Sequence, residues 1–400
     1  MNNDIAVVGA GPAGAWAAYS LARRGASVVL IDSSHPREKP CGGGVTRRAL
    51  DLVAKAIDIT RLPTVAIRSA RFTASSTDDA VDVPLDGGTL IVASRAEFDG
   101  VLLQAARRAG AEVLSTRVID LRAQTGGFRI DTTAGPRFAG FLVGADGANS
   151  LVRRRLAHPF RRDQLSIATG FFAHGVTSDE IVIELIADPP GYVWSFPRAT
   201  HLAVGICAQA DSGARAGALR IAAASWLERT GLADGARLEP YSWPIPSLPA
   251  RDLEGLELAG PRWCLVGDAA GLVDPITREG IYFALLSGQW AADAMMSPGV
   301  DHSRHYAVRV RDEIVVELAR AARFKAEFFR PRFTRLMIDA LRRSAAIRAV
   351  MADVVAGRQD YAGLKWRLAK TLELGPACRL FFSAIRSRRG RGHVGSAPAR

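Results

Sequence analysis

Three clusters in this chain combine residue types and spacings that chemistry can use. The first is Gly9-x-Gly11-x-x-Gly14, with Ala13 inside it and an acid, Asp32, further on. Glycines at this spacing let backbone N–H groups approach a pyrophosphate whose charge a following helix N-terminus stabilises, and the acid accepts hydrogen bonds from a ribose. The second is Lys39-Pro40-Cys41-Gly42-Gly43-Gly44. Three consecutive glycines belong to no good helix or strand and leave a bare backbone surface beside which a flat ring can lie. The third is Tyr192-x-Trp194-x-Phe196-Pro197, three aromatic side chains on one face of a strand. Such a row is sheet core in many proteins. Facing a cavity, it is a lining for a hydrocarbon, whose affinity comes almost wholly from apolar area removed from water.

The elements that must position these residues are legible around them. Asp4-Ile-Ala-Val-Val8 reads as a short strand, the glycines as its turn, Ala17, Leu21 and Ala22 as a helix ending at Arg24-Gly25, and Ser27–Ile31 as a second strand ending in Asp32. That strand–turn–helix–strand unit makes dinucleotide binding the expectation. Two further strands deliver an acid to a turn: Phe141-Leu-Val-Gly-Ala-Asp146-Gly, and Trp263-Cys-Leu-Val-Gly-Asp268-Ala-Ala-Gly. Glu279-Gly280-Ile281 then opens a helix whose N-terminal amides favour negative charge. A strand is expected over Glu112–Val118, and another through the aromatic row, paired by a hairpin to His201–Ile206. Asp188-Pro-Pro-Gly191 and Trp243-Pro-Ile-Pro246 read as turns. Phe333, Leu336, Met337, Ala340 and Leu341 recur at helical spacing.

Bulk properties narrow the class. The 400 residues are ample for more than one domain, and 48% hydrophobic with 23% charged residues is ordinary for a soluble globular chain. Cys41, Cys207, Cys264 and Cys378 lie far apart, which argues against an iron–sulfur cluster, a zinc ribbon or a disulfide framework and fits a reducing cytoplasm. No metal site is expected. The N-terminus reads as a strand and turn rather than a signal peptide, and no apolar run reaches the length of a spanning helix. Charge is uneven: residues 301–400 hold 22 Lys/Arg against 9 Asp/Glu within a net +12. This quarter reads first as solvated Arg-rich helices and second as a face for an anionic membrane. Nothing resembling an aromatic-interleaved basic groove supports nucleic-acid binding.

In their order, the glycine loop, the Asp146 strand and the Asp268 strand resemble the three FAD signatures of the para-hydroxybenzoate hydroxylase-like flavoproteins. That resemblance implies FAD contacts from Gly9, Gly11, Ala13, Gly14, Asp32, Asp146, Asp268, Gly280 and Ile281. It implies further contacts from Arg95 and from the backbone at Val118, beside the adenine. The Cys41–Gly44 segment and the Tyr-x-Trp-x-Phe-Pro string resemble the geranylgeranyl reductase family. Cys41, Gly42 and Gly43 would lie against the flavin, while Tyr192, Trp194 and Phe196 would line a tunnel for a prenyl chain. The resemblance covers roughly residues 4–300. One departure is Arg278, where the family commonly has Gly.

The implied fold is α/β: a Rossmann-type FAD-binding domain with an inserted, mostly antiparallel substrate sheet and a helical C-terminal region. The expected boundaries are 1–70, 90–158 and 260–300 for the FAD domain, and 70–90 and 160–258 for the substrate sheet. A basic helical region follows over 301–385, with a disordered tail over 386–400. The implied activity is reduction of isolated C=C bonds in an isoprenoid or other hydrophobic small molecule, with NADPH, NADH or ferredoxin as electron donor. Cys41, Tyr192 and Trp194 would be catalytic, the two rings stabilising a carbocation-like transition state. An aromatic monooxygenase shares the FAD motifs and stays open as the alternative, ahead of a halogenase or an electron-transfer flavoprotein. A cytoplasmic protein with peripheral contact to anionic membrane is the expected setting.

Overall fold

The structure, a computed structural model, describes residues 2–75 and 77–371. Cys378, the expected end of the basic region and the expected 386–400 tail lie outside those residues. Asn2–Val8 is the centre of an eight-stranded sheet, paired in parallel with Val28–Ile31 on one side and Gly135–Gly144 on the other. Glu112–Leu114 and Trp263–Leu265 extend the sheet in parallel beyond them. All four residues of Val28–Ile31 are buried, as a parallel strand covered on both faces requires. The fold is α/β, as expected.

One expected strand is two. Glu112–Leu114 stops where the Thr116 amide turns back to the Leu114 carbonyl at 3.0 Å, and Val118–Gln124 begins a separate antiparallel ribbon with Gly127–Thr132. The Thr116 and Thr133 hydroxyls, 2.8 Å apart, bridge the base of that ribbon.

The glycine-led helix Pro12–Ala22 lies directly against the helix Ile281–Met295, so the two ends of the dinucleotide fold meet. The contact is backbone to backbone. A Cβ on Gly288 would sit 2.4 Å from the Ala13 carbonyl oxygen, and one on Gly267 would sit 3.0 Å from the Ala13 Cβ.

A seven-stranded sheet stands beside this core. Its order is Arg237–Pro246, Leu165–His174, His201–Gln209, Pro190–Pro197, Glu180–Ala187, Ser69–Ala74, Thr77–Pro84, and all pairs are antiparallel except Glu180–Ala187 with Ser69–Ala74. Trp243-Pro-Ile-Pro246 is therefore not a turn. It finishes the edge strand, where a proline's missing N–H points away from any partner. The helix Ala216–Thr230 packs on one face through Leu219, Ala223, Trp226 and Leu227, against Val193 and its neighbours.

The other face receives the C-terminal helices. Phe333, Met337, Ile338 and Leu341 of Pro331–Arg343, with Ile347 of Ala345–Val355, form one core with Phe72, Val83, Ile181 and Leu185 of the sheet. The basic quarter is thus amphipathic: its arginines ride on helices whose other stripe is core.

Because the Gly288–Ala13 contact admits no side chain, Gly288→Ala must push the two helices apart. The expected cost is about 1–3 kcal/mol, the range for overpacking a close contact, read as a lower midpoint in chemical denaturation. An unchanged midpoint would show that the helices are not held at this spacing.

Candidate active site

The glycine loop has the form of an anion cradle. Gly9 has φ +102°, and a Cβ there would meet the Ala145 carbonyl oxygen at 2.3 Å. A Cβ on Gly14 would fall 1.8 Å from the Gly9 carbonyl oxygen. Gly11 faces open space, with only His35 Nε2 near, 3.6 Å from its would-be Cβ. The helix it opens has no side-chain cap and no acid in its first turn, and Pro12 contributes no N–H. Its first free amides therefore suit a phosphate. Asp32 accepts from the Ala10 amide at 2.9 Å, from the amides of Ser34 and His35, and pairs with His35 Nδ1 at 2.9 Å. Burial alone would raise its pKa, but the bonds from His35, Ala10 and Ser34 hold it well below the usual carboxylate range. An ionised Asp32 thus shapes the loop it is expected to share with a ribose.

The cysteine–glycine segment is pinned from three directions. Glu38 accepts from the Ser94 hydroxyl, from the Arg95 amide at 3.0 Å, and from the buried guanidinium of Arg198. The Arg198 Nη2 also donates to the Cys41 carbonyl oxygen at 2.5 Å. Gly43, at φ +83°, has room for no side chain: a Cβ would lie 2.4 Å from the Ala93 carbonyl oxygen. Its amide donates to Cys41 Sγ at 3.3 Å. Arg95 is buried, pairs with both oxygens of Asp99 at 2.8 and 2.7 Å, and also reaches Cys41. The flat ring lying on the bare glycine backbone is that of Phe196, 2.9 Å from where a Gly42 Cβ would be.

One cavity of about 1190 Å³ gathers most of the expected site. Its floor is Cys41–Gly44, Arg95, Asp268, Gly280 and Ile281, and its wall is the row Tyr192, Trp194, Phe196. Asp268 there is paired with Lys39 at 2.9 Å. The helix starting at Ile281 points an uncapped N-terminus at this space. The Tyr192 and Trp194 rings are 5.6 Å apart, and the Tyr192 hydroxyl donates to the Thr277 carbonyl at 3.1 Å. Burial raises the Tyr192 pKa well above its ordinary value, so the phenol keeps its proton at neutral pH.

Seven expected residues lie outside the cavity lining: Gly9, Gly11, Ala13, Gly14 and Asp32 of the dinucleotide loop, together with Asp146 and Val118. Asp146 spends its carboxylate on its own turn, accepting from the Ser150 hydroxyl at 2.5 Å and the Leu151 and Val152 amides at 2.6 and 3.1 Å. Val118 opens its ribbon, half-buried. The cavity's roof, in contrast, was not anticipated. Phe324, Phe328, Phe333, Met337, Val350 and Leu364 close it from the C-terminal helices. Their signal was present in the sequence as pairs at i and i+4, Phe324 with Phe328 and Phe333 with Met337. Arg198 and Glu38, which fix the floor, carry no motif at all.

Comparison with known proteins assigns the family. The model of an FAD binding domain matches residues 2–236. A menaquinone reductase of Mycolicibacterium smegmatis is 31% identical over 92% of this chain and 95% of its own length. A geranylgeranyl diphosphate reductase of Rhodobacter capsulatus is 30% identical over 74% of this chain and 76% of its own. The chain belongs to the geranylgeranyl reductase family of FAD flavoproteins. A geranylgeranyl bacteriochlorophyll reductase-like protein from Thermoplasma acidophilum shares the fold, with a TM-score of 0.77 at 21% identity, over 93% of this chain and all of that one.

In this flavoprotein the Glu38–Arg198 pair offers a direct test. The Glu38 carboxyl is held below its ordinary 4.5: burial opposes this, but Arg198, Ser94 and the Arg95 amide outweigh it. Its contribution to stability is therefore complete above the ordinary carboxylate range and lost as pH falls through the lowered folded value. Arg198→Met, which leaves Glu38 and the Cys41 carbonyl without their donor, is expected to cost about 3–5 kcal/mol at pH 7. Adding Glu38→Gln should cost much less than a second independent loss. Strict additivity in this double-mutant cycle would show that the pair is not coupled.

Proposed function

We propose that this FAD-dependent oxidoreductase reduces isolated C=C bonds in the prenyl chain of a hydrophobic isoprenoid. The observation that carries the reading is the cavity. The aromatic row and the cysteine–glycine floor face a mainly apolar roof across one space of about 1190 Å³, larger than the roughly 300–1,000 Å³ of most small-ligand sites. An extended hydrocarbon needs such a lining, at about 25 cal/mol per Å² of apolar surface buried.

Bound and reduced, FAD supplies the hydride for such a reduction; NADPH, NADH or ferredoxin is the proposed source of its electrons. An unactivated alkene has no carbonyl to take up negative charge, so the second carbon must receive a proton as the first receives hydride. Tyr192 and Trp194 line the cavity, where their rings stabilise positive charge developing on the alkene. The Cys41 thiol sits at the floor, held by the Gly43 amide and Arg95, where it steers substrate or proton. The roof helices exclude water, which would otherwise capture a cationic carbon.

The last described helix, Tyr361–Lys370, lines the cavity with Leu364 and Leu368 and carries the exposed Trp366 beside Lys365 and Lys370. An interfacial tryptophan among cations suits the surface of an anionic membrane, from which a prenyl lipid enters this cavity.

Two experiments test this. Under argon, the reduced holoenzyme given a geranylgeranyl lipid or a prenylated quinone is expected to reoxidise as the lipid gains two hydrogens per bond. Flavin that stays reduced until oxygen is admitted, with oxygen then entering an added substrate, would instead make the protein a monooxygenase. In the same assay Cys41→Ala should lower turnover on the order of 10²-fold, the scale of a lost proton-transfer group; full turnover would remove Cys41 from the mechanism. In vesicle sedimentation, Trp366→Ala with Lys365→Glu should weaken binding to phosphatidylserine by about 1 kcal/mol or more. Undiminished binding would place the membrane contact elsewhere.

A further inference from the structure

Behind the aromatic wall, two cations converge on one hydroxyl. Arg278 lines the cavity, and its Nη1 donates to Ser247 Oγ. Lys325, on the roof helix Val316–Phe328, donates to the same oxygen at 2.7 Å and also to the Gln209 side-chain carbonyl. Ser247 Oγ in turn reaches Gln209 Oε1 at 3.2 Å. Every partner in this cluster is neutral. Among the described residues no carboxylate lies within ion-pair distance of Arg278 or Lys325, whereas the other arginines lining the cavity are paired, Arg95 with Asp99, Arg320 with Glu317, Arg323 with Glu254 and Arg330 with Glu327. Arg278 Nε is buried with no acceptor at all. Lys325 feels the shortage: burial, then the charge of Arg278, push its amine down to about 7. The backbone adds a cost, since Arg278 holds φ +61°, a region that L side chains enter rarely.

A half-buried guanidinium on the cavity wall and, behind it, an amine that burial leaves partly charged near pH 7, neither with a carboxylate in ion-pair reach, are an incomplete electrostatic arrangement that an anion completes. We propose that Arg278, backed by Lys325 through Ser247, forms an oxyanion subsite that binds an anionic head, phosphate or carboxylate, on the hydrophobic substrate of this cavity. This rests on the prenyl-chain reading above and deepens it. The apolar roof holds the chain, and Arg278 selects charged-headed substrates over neutral ones. Arg278 is a specificity-determining residue here, and Lys325 a positioning residue acting through Ser247.

The test is equilibrium binding to the oxidised holoenzyme, followed by flavin and tryptophan fluorescence and requiring no turnover. The probes are geranylgeranyl diphosphate, the neutral alcohol geranylgeraniol, geranylgeranoic acid, and inorganic pyrophosphate as competitor. The wild type should bind the diphosphate at least about tenfold more tightly than the alcohol, the scale of charge-assisted hydrogen bonds to one anion. Tighter binding of the acid as well would make the subsite general for oxyanions, and displacement by pyrophosphate would show that the head binds without the chain. Arg278→Gly, which suits the left-handed backbone, should abolish the preference while changing alcohol affinity less than about twofold. Lys325→Met should weaken it partially, and serves as the readout if the glycine variant loses flavin. Equal affinity for diphosphate and alcohol in the wild type, or a preference that survives both substitutions, would overturn the subsite. Failure of the prenyl reading is separately visible, since the alcohol would then neither bind nor be reduced.

Discussion

A single buried guanidinium ties the seven-stranded sheet to the loop after Ile31 at the place where chemistry is proposed to happen. Arg198 leaves the end of the aromatic strand, reaches Glu38 and caps the carbonyl of Cys41. Glu38 at the same time receives the Ser94 hydroxyl and the first amide of the helix Arg95–Arg108. Three stretches distant in sequence are thus tied at one ion pair: the loop after Ile31 with its cysteine–glycine segment, the helix start and the aromatic strand. A buried pair of this kind gains little net stability over an apolar pair, because desolvation offsets most of the attraction. What it supplies is position. An apolar side chain in place of Arg198 would fill the space and leave the cysteine–glycine backbone free to shift against the wall it faces.

Position also explains the division of labour around the cavity. The floor is built from backbone and short, paired polar groups, Lys39 with Asp268 and Arg95 with Asp99, so that charge stays neutralised where a cofactor must approach. The wall is aromatic, and the roof is mainly aliphatic and aromatic, edged by Arg320, Arg323 and Arg330, which are paired with Glu317, Glu254 and Glu327. The high positive charge of the C-terminal quarter therefore coexists with a largely apolar interior stripe. Composition reports the first and conceals the second.

That difference marks what the sequence made legible. Gly9, Gly11, Gly14 and Asp32 announced themselves because backbone approach to phosphate permits few residue types, and local spacing suffices to display it. Cys41–Gly44 and Tyr192–Phe196 were legible for the same reason, as segments whose composition suits neither helix nor ordinary surface strand. The break at Leu114–Val118 was not, since Glu112–Val118 has strand propensity throughout and only the pairing of Thr116 with Thr133 interrupts it. Trp243–Pro246 was misread because proline marks turns and edges alike, and edge status is a property of the sheet. The roof and the Glu38–Arg198 pair were hidden by sequence separations on the order of a hundred residues or more, which no local pattern encodes.

Arg278 brings these strands together. The family pattern places a glycine at this turn, and φ +61° shows why: the backbone there is left-handed, easy for glycine and costing a side chain on the order of 1 kcal/mol. A chain that accepts this cost, and in addition buries an unpartnered Nε next to a second uncompensated cation, has placed two local penalties at one point of its cavity wall. Local conflicts with the fold's own rules concentrate where function requires them. A left-handed turn that glycine would occupy without strain here carries a guanidinium that lines the cavity.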